Sequence, residues 1–446
     1  MLRKLFLGTR EVPGSPEGDS APKTKSYWSS AKKEFKKNRP AYFAFWVIIG
    51  LITLAILSDF IAYNKPYYAV YKGETYYPLF NDYLEGVGLY EWDAEMRKVE
   101  WREIDSELES SLWPPICYLP GDIDDMNMQS VSPSEKQRLP DDKFWHYLGT
   151  DELGRDLLSG LIHGTRISLA VGVIAAGISA IIGILIGSIA GYFGDNRLKL
   201  SRAKLILLLL GIFLGLFYGF FVRGYTLSDS IGSSIGAFLF QLLLSIVIAV
   251  GIISLFSFLG RFFGNVPWLK EKIFVPVDIL ISRLIELMVS IPILLLIITV
   301  ASVAEPSLFL VMAVIGLTSW TRIARLTRAE LLKVRSLEYI QAAQAQGFSE
   351  FRIIFRHALP NSLAPVFIAI AFGVASAILF ESALSFLGIG VPVTTITWGS
   401  LLNAARGAPS AWWLAVFPGL AIFLTVTCFN LVGEGLRDAL DPRLKK

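Results

Sequence analysis

The chain has 446 residues, of which 53% are hydrophobic and 18% charged, and its formal net charge is +3. Its mean hydropathy is +0.53, and its apolar runs repeatedly reach the roughly 20 residues a helix needs to cross a bilayer. This excludes an ordinary soluble domain and predicts an all-α polytopic membrane protein; the charge is too small to imply a nucleic-acid partner, and the basic residues gather at the ends of apolar runs instead.

Residues 1–41 read as a tail on the cytoplasmic side. Pro13, Pro16 and Pro22 predict disorder at first, and Lys32, Lys33, Lys36, Lys37 and Arg39 then predict an interfacial helix. No apolar segment precedes a small-residue cleavage site there, so no signal peptide is expected. The first span is predicted over residues 42–60, with its N-terminus inside. Residues 61–165 follow as a hydrophilic segment too long to be a connection. They predict a small extracytoplasmic subdomain, either a docking surface for a delivery protein or a lineage-specific decoration. Within it, Tyr67–Tyr71, the Lys72-Gly73 turn and Glu74–Phe80 suggest a β-hairpin. Cys117 lies in this polar segment and Cys428 in an apolar span, so no disulfide joins them.

The subdomain ends in His146-Tyr147-Leu148-Gly149-Thr150-Asp151-Glu152-Leu153-Gly154-Arg155-Asp156, then Arg166-Ile167-Ser168-Leu169. A charged cluster just ahead of a span commonly caps it. His146 and His163 lack the further ligands that a metal site needs. The second span, Ile167–Phe193, carries Gly183, Gly187 and Gly191 at spacing four, a bare face for close helix approach. Two further spans, Leu205–Val222 and Ile235–Leu259, are joined by an outer loop at Arg223–Ser234. In the next span Arg283 and Glu286, three residues apart, can pair, and Pro292 is expected to kink the helix. Ser307–Trp320 leads to the basic stripe Arg322, Arg325 and Arg328. After the loop that follows, Val366–Leu384 carries Glu381, either a functional carboxylate or one satisfied structurally near the outer surface. The last span is Trp412–Val432, within a transmembrane region expected over residues 166–435, and residues 436–446 form a cytoplasmic C-terminal tail.

The stretch Ser336–Pro365 lies between two of these spans. It reads as two short helices: Leu337–Gln346 with Ala342, Ala343 and Ala345, a break at Gly347, then a helix capped by Ser349 and stopped by Pro360. Either it is a plug for another protein's groove, with its small residues toward that groove, or it is an ordinary interfacial helix.

Gln341-Ala342-Ala343, Gly347 and Leu359-Pro360 resemble the EAA loop of ABC-transporter permeases, with Gln341 where the family has an acidic residue. The Leu148–Asp156 segment, Asp278 to Pro292, Glu381–Gly388, Trp398-Gly399 and Gly433–Arg443 resemble the dipeptide/oligopeptide/nickel subfamily. The resemblance is loose over the first span and close over His146–Phe193 and Phe274–Leu444. It implies a type I ABC importer transmembrane bundle of about eight spans in a bacterial inner membrane, both termini cytoplasmic. The helix pair at about 196–272 departs from the subfamily pattern. The implied partners are two ATP-binding subunits, a second homologous permease, an extracytoplasmic substrate-binding protein and membrane lipid. The implied coupling residues are Gln341, Ala342, Ala343, Gly347, Leu359 and Pro360. No Gly-Lys dipeptide, hence no Walker A loop, occurs. ATP and Mg are therefore expected on the partner subunits, with no catalytic, cofactor or metal residue in this chain. Peptides are the expected substrates and nickel or another small solute the alternative. A secondary transporter would need ionisable residues deep in several spans, and here they sit mostly at span ends.

Overall fold

The computed structural model describes residues 27–440, apart from 94, 140, 234, 264, 265, 267, 304 and 305. The expected disordered tail and the last six residues lie outside the described residues. Helix α1 (Tyr27–Lys37) leads into α2 (Arg39–Ile56), whose first turn is capped by the Asn38 side chain accepting from the Ala41 amide. The first span therefore starts and ends a few residues earlier than its apolar pattern suggests, and a separate turn follows at Ser58–Ile61.

The extracytoplasmic segment forms a three-stranded antiparallel sheet in the order β2-β1-β3, with β1 Tyr68–Tyr71, β2 Glu74–Tyr76 and β3 Ser110–Leu112. Lys72 and Gly73 both take positive φ, 53° and 78°, which suits the two-residue turn of a twisted hairpin. The second strand is shorter than expected, because Pro78 opens a helix over Pro78–Gly86. Ala69, Trp92 and Trp101 form a small core under the sheet.

Helix α3 (Leu157–Phe193) begins ten residues before the expected span because Asp156 caps it, accepting from the Ser159 amide at 2.6 Å. Its 37 residues extend about 55 Å at 1.5 Å per residue, well beyond a hydrocarbon core of roughly 30 Å. Next come α4 (Arg202–Leu216), whose last turn widens into a π-helix over Phe217–Phe221, and α5 (Ile235–Phe262). The expected outer loop between them is itself helical over Gly224–Ser233. Strands β4 (Lys199–Ser201) and β5 (Lys272–Phe274) zip the base of this hairpin, and Arg202 pairs with Glu271 there at 2.6 Å.

Helices α6 (Val277–Ser290) and α7 (Ile293–Val303) meet at a bend of 76°. The break falls at Ile291-Pro292: proline lacks an amide and pushes its predecessor out of the helical region, and Ile291 is extended. Helix α8 (Leu308–Val334) runs on past Trp320, so Arg322, Arg325 and Arg328 belong to the helix itself. Helix α9 (Glu338–Ala345), α10 (Ala364–Phe386) and α11 (Trp412–Leu440) complete the chain. The last span thus extends as one helix into the expected tail. Among the described residues seven helices are long and apolar enough to span, eight with the bent pair.

The core is the α3–α8 seam. A Cβ on Gly187 would lie 2.5 Å from the Ala324 carbonyl oxygen, and one on Gly191 2.6 Å from that of Arg328. Only glycine allows this approach, so the spacing-four face is where α8 lies. Val171, Ala175, Val311, Ile315, Ala377 and Leu384 close the outer half of the same core.

Candidate coupling site

At the end of the bundle where the basic residues collect, α9 lies across the C-terminus of α3. The helix is eight residues long, starts after the extended Leu337 and ends at Gly347, whose φ of +77° only glycine adopts cheaply. No other atom comes within 4 Å of a Cβ placed there, so the backbone angle alone requires glycine. Ser349 then caps a short turn at Glu350–Arg352, accepting from the Arg352 amide. This turn continues as a π-helix over Ile353–Ala358 and as an α-turn over Leu359–Ser362. Pro360 therefore does not stop the helix. The wider π turn removes the clash a proline would make with the carbonyl four residues back, and the chain passes through it.

The six sequence-predicted residues fall on two sides. Gln341, Ala342, Gly347 and Pro360 are exposed. Ala343 and Leu359 are buried, at 7% and 8% exposure. Ala343 packs with Ile340 against Tyr192, Leu331, Val334 and Ile353 of its own chain. Its small side chain thus serves the seat of α9, not a surface open to a partner, which corrects the expectation for that residue. The open face instead carries Gln341, Ala342 and Ala345, flanked by Leu337, Tyr339, Phe351 and Phe355, all four more than a third exposed.

Tyr192 holds the seat together. It is fully buried in the last turn of α3. Its hydroxyl donates to the Glu350 carboxylate and accepts from Gln344 Nε2 at 3.2 Å. Arg197 stacks over its ring at 5.3 Å. Asn361 Nδ2 donates to the Tyr339 hydroxyl at 3.2 Å, tying the turn after Pro360 to α9. Sequence reasoning missed Tyr192 and Phe351. Tyr192 ends an apolar run like any anchoring aromatic, whereas Phe351 beside Arg352 in a predicted surface helix is a signal of an apolar patch.

Neighbouring ends are locked by ion pairs. Asp278 on α6 and Arg328 on α8 form a bidentate pair, with Arg328 Nη2 at 2.7 Å from Asp278 Oδ2. Arg283 and Glu286 pair along α6 at 2.6 Å as expected, both largely exposed.

At the opposite end, α3 is fixed by the His146–Asp156 segment. His146 is fully buried, stacked on Tyr118 at 4.1 Å. Its Nδ1 lies 2.9 Å from Asp156 Oδ2 and its Nε2 3.1 Å from Asp124 Oδ2. Burial disfavours the imidazolium, but the two carboxylates outweigh it and raise the His146 pKa above 6.5. Burial likewise opposes the Asp124 carboxylate, and His146, Asn127 and the Met126 amide outweigh it to hold its pKa below 3.8. Asp151 accepts from Arg155 Nε at 2.7 Å, and the Trp413 indole donates to the Thr150 carbonyl at 3.1 Å. His163 is spent on the Ala62 carbonyl, 2.9 Å away, and does not join His146. Glu381 is fully buried and accepts from the Ser385 hydroxyl at 2.7 Å, with Thr397 and Ser168 facing it.

A glycine-seamed bundle of seven or eight candidate spans, with a short helix seated across its basic end, is that of a polytopic membrane protein, and the family match makes it a permease of the type I importer class. Within that class the chain belongs to the binding-protein-dependent transport system inner membrane components, whose family profile matches residues 268–446. A second profile, the N-terminal TM domain of oligopeptide transport permease C, matches residues 26–84. The dipeptide transport system permease protein of Alkalihalophilus pseudofirmus is 31% identical over 71% of this chain and 77% of its own length. The di/tripeptide transport system permease protein of Pseudomonas aeruginosa is 33% identical over 67% and 72%. The peptidoglycan transport system permease protein of Agrobacterium fabrum is 25% identical over 95% and 94%.

Proposed function

We propose that this chain is the membrane subunit of an importer that carries short peptides inward, driven by ATP bound and hydrolysed with Mg on two separate subunits. The observation that carries the reading is α9: one face buried in its own bundle, the other open, apolar at its margins and ended by an obligatory glycine turn. Such a helix suits a groove on an ATP-binding subunit. Gln341, Ala342 and Gly347 then shape the contact, Ala343 and Leu359 hold the seat, and Pro360 steers the chain into α10. Closure of the ATP-binding subunits pushes α9, and Tyr192 passes the push to α3. The equilibrium shifts only because the groove contact differs between the inward- and outward-facing states. A second homologous permease completes the pathway and an extracytoplasmic binding protein delivers substrate to the β1–β3 subdomain. On this reading both termini lie on the cytoplasmic side, which the recurring basic span ends favour.

The relatives named for dipeptide and di/tripeptide transport support short peptides. One of the relatives matched over nearly the whole chain is named for peptidoglycan transport, which favours peptide-bearing wall fragments as a second reading. The test is uptake of labelled tripeptide and of labelled wall peptide by cells with and without this chain. Loss of either upon deletion supports the corresponding reading. Uptake unchanged for both, with nickel uptake lost, would overturn the peptide assignment.

A further inference from the structure

Apart from α9, residues of α1, α2 and the end of α11 line an open cleft of about 550 Å³. Its walls are mostly apolar and include Phe35 from α1, Phe45 and Trp46 from α2, and Leu436 from α11. Trp46 is 54% exposed within a span, so the cleft opens sideways toward the hydrocarbon. Its rim is cationic. Lys32 and Lys36 stand one helical turn apart on α1 and both line the opening. Among the described residues neither has an ion-pair partner, whereas Lys37 is held by Glu34 at 2.7 Å. Helix α1 is fixed here: a Cβ on Gly435 of α11 would lie 3.1 Å from the Phe35 ring and 2.3 Å from Ala41. Asn38 donates to Asp438 at 3.0 Å across the same junction. An apolar slot in the span, roofed by two exposed lysines at its end, matches one ligand chemistry: an acyl chain below an anionic headgroup.

We propose that this cleft is a binding site for one anionic phospholipid, its phosphate between Lys32 and Lys36 and an acyl chain against Phe35, Phe45 and Trp46. The site is separate from the α9 face, and it rests on the chain being embedded in a membrane but not on what it transports. Occupancy staples the amphipathic α1 to the α2–α11 pair. It makes anionic lipid a structural component of this flank.

The experiment uses the full chain purified in detergent. Dioleoyl-phosphatidylglycerol and dioleoyl-phosphatidylcholine are titrated, and retained lipid per chain is counted by native mass spectrometry. One tightly held phosphatidylglycerol is expected, with phosphatidylcholine bound at least tenfold more weakly. Lys32→Gln with Lys36→Gln should weaken that lipid by about thirtyfold, on the scale of two basic groups at an anionic surface. Lys33→Gln with Lys37→Gln removes the same charge from the same helix but away from the cleft, and should weaken it by less than threefold. Equal loss in both double variants would mean diffuse charge attraction and would overturn the site. So would equal retention of phosphatidylcholine. Displacement of the lipid by millimolar glycerol 3-phosphate would show that the cleft holds no chain, and a lipid-free dimer would mean that a second copy covers the flank. Because all four lysines are exposed, the variants are expected to fold, which a shared melting temperature in lipid-free detergent checks.

Discussion

The α3–α8 seam and the α4–α5 hairpin are made by the same device. In the seam Gly183, Gly187 and Gly191 admit the backbone of α8. In the hairpin a Cβ on Gly211 would lie 2.6 Å from Phe256 Cβ, and one on Gly215 2.8 Å from the Ala249 carbonyl. What differs is everything around the pair. Half of the apolar window of α8 and of α10 is buried, against 17% along the α4 span and 11% along α5. The β4–β5 ladder closes the hairpin at its base, and near its other end Phe238 meets Phe309 of α8 at a ring distance of 4.7 Å. Small residues at spacing four therefore report that two helices touch. They do not report whether the pair is the centre of a protein or an appendage. The seam packs the centre of the bundle, while the hairpin leaves most of its apolar surface open.

The strongest way to break this contrast is a bulky residue in each pair. Gly187→Leu places a side chain on the Ala324 backbone and should prevent assembly of the bundle, a loss of several kcal/mol of the overpacking kind. Gly215→Leu should part the hairpin and leave the core intact. Yield and melting temperature in detergent, with uptake in cells, compare the two; equal damage would make the hairpin part of the core. Next in size, replacing residues 203–270 by a short turn that keeps β4, β5 and the Arg202–Glu271 pair should preserve folding and much of the uptake. Complete loss of the folded chain would sink the appendage reading.

Gly347→Val acts more locally. A β-branched residue at φ +77° costs on the order of 1–2 kcal/mol or more, and it misaims α9 without touching the seam. Co-purification of the ATP-binding subunit and uptake should both fall while the melting temperature barely moves. Normal docking and uptake would reduce α9 to an interfacial helix.

The outer clasp sharpens the comparison through pH. His146 has its pKa raised on folding, so its contribution is complete below about 6.5 and is lost as pH climbs through the higher folded value. Asp124 has its pKa lowered, so its contribution is present above 3.8 and is lost as pH falls through the lower folded value. The subdomain should thus be held most firmly to α3 between about pH 4 and 6.5 and loosen on the alkaline side. Hydrogen exchange around residues 124–156, corrected for intrinsic rate, checks this, and His146→Gln should flatten the profile. The hairpin should show no such dependence. The smallest effect is expected for Gln341→Glu: the side chain is exposed and gives up one hydrogen bond to the Ser336 carbonyl, 3.1 Å away. A change within about 0.5 kcal/mol is anticipated for such a surface site, read as unchanged uptake.

Composition and hydropathy alone determined that this is a helical membrane protein, because apolar runs of spanning length have no other stable home. Local chemistry determined the Lys72-Gly73 turn, the break at Pro292 and the turn at Gly347, since each depends on the φ a residue type allows. The order of motifs determined the family. Helix ends were less legible: Asp156 starts α3 ten residues before the apolar periodicity begins, because a cap is set by one side chain and hydropathy by an average over many. Pro360 reads as a stop until the π turn ahead of it is seen. The direction faced by Ala343 was decided only in three dimensions. Eight residues of helix with small side chains offer two plausible faces, and it was Tyr192, 151 positions away in the chain, that buried one of them. The same holds for the clasp, where Asp124 lies 22 positions before His146 in the chain, and both it and Asp156 meet the His146 ring only when the fold brings them together.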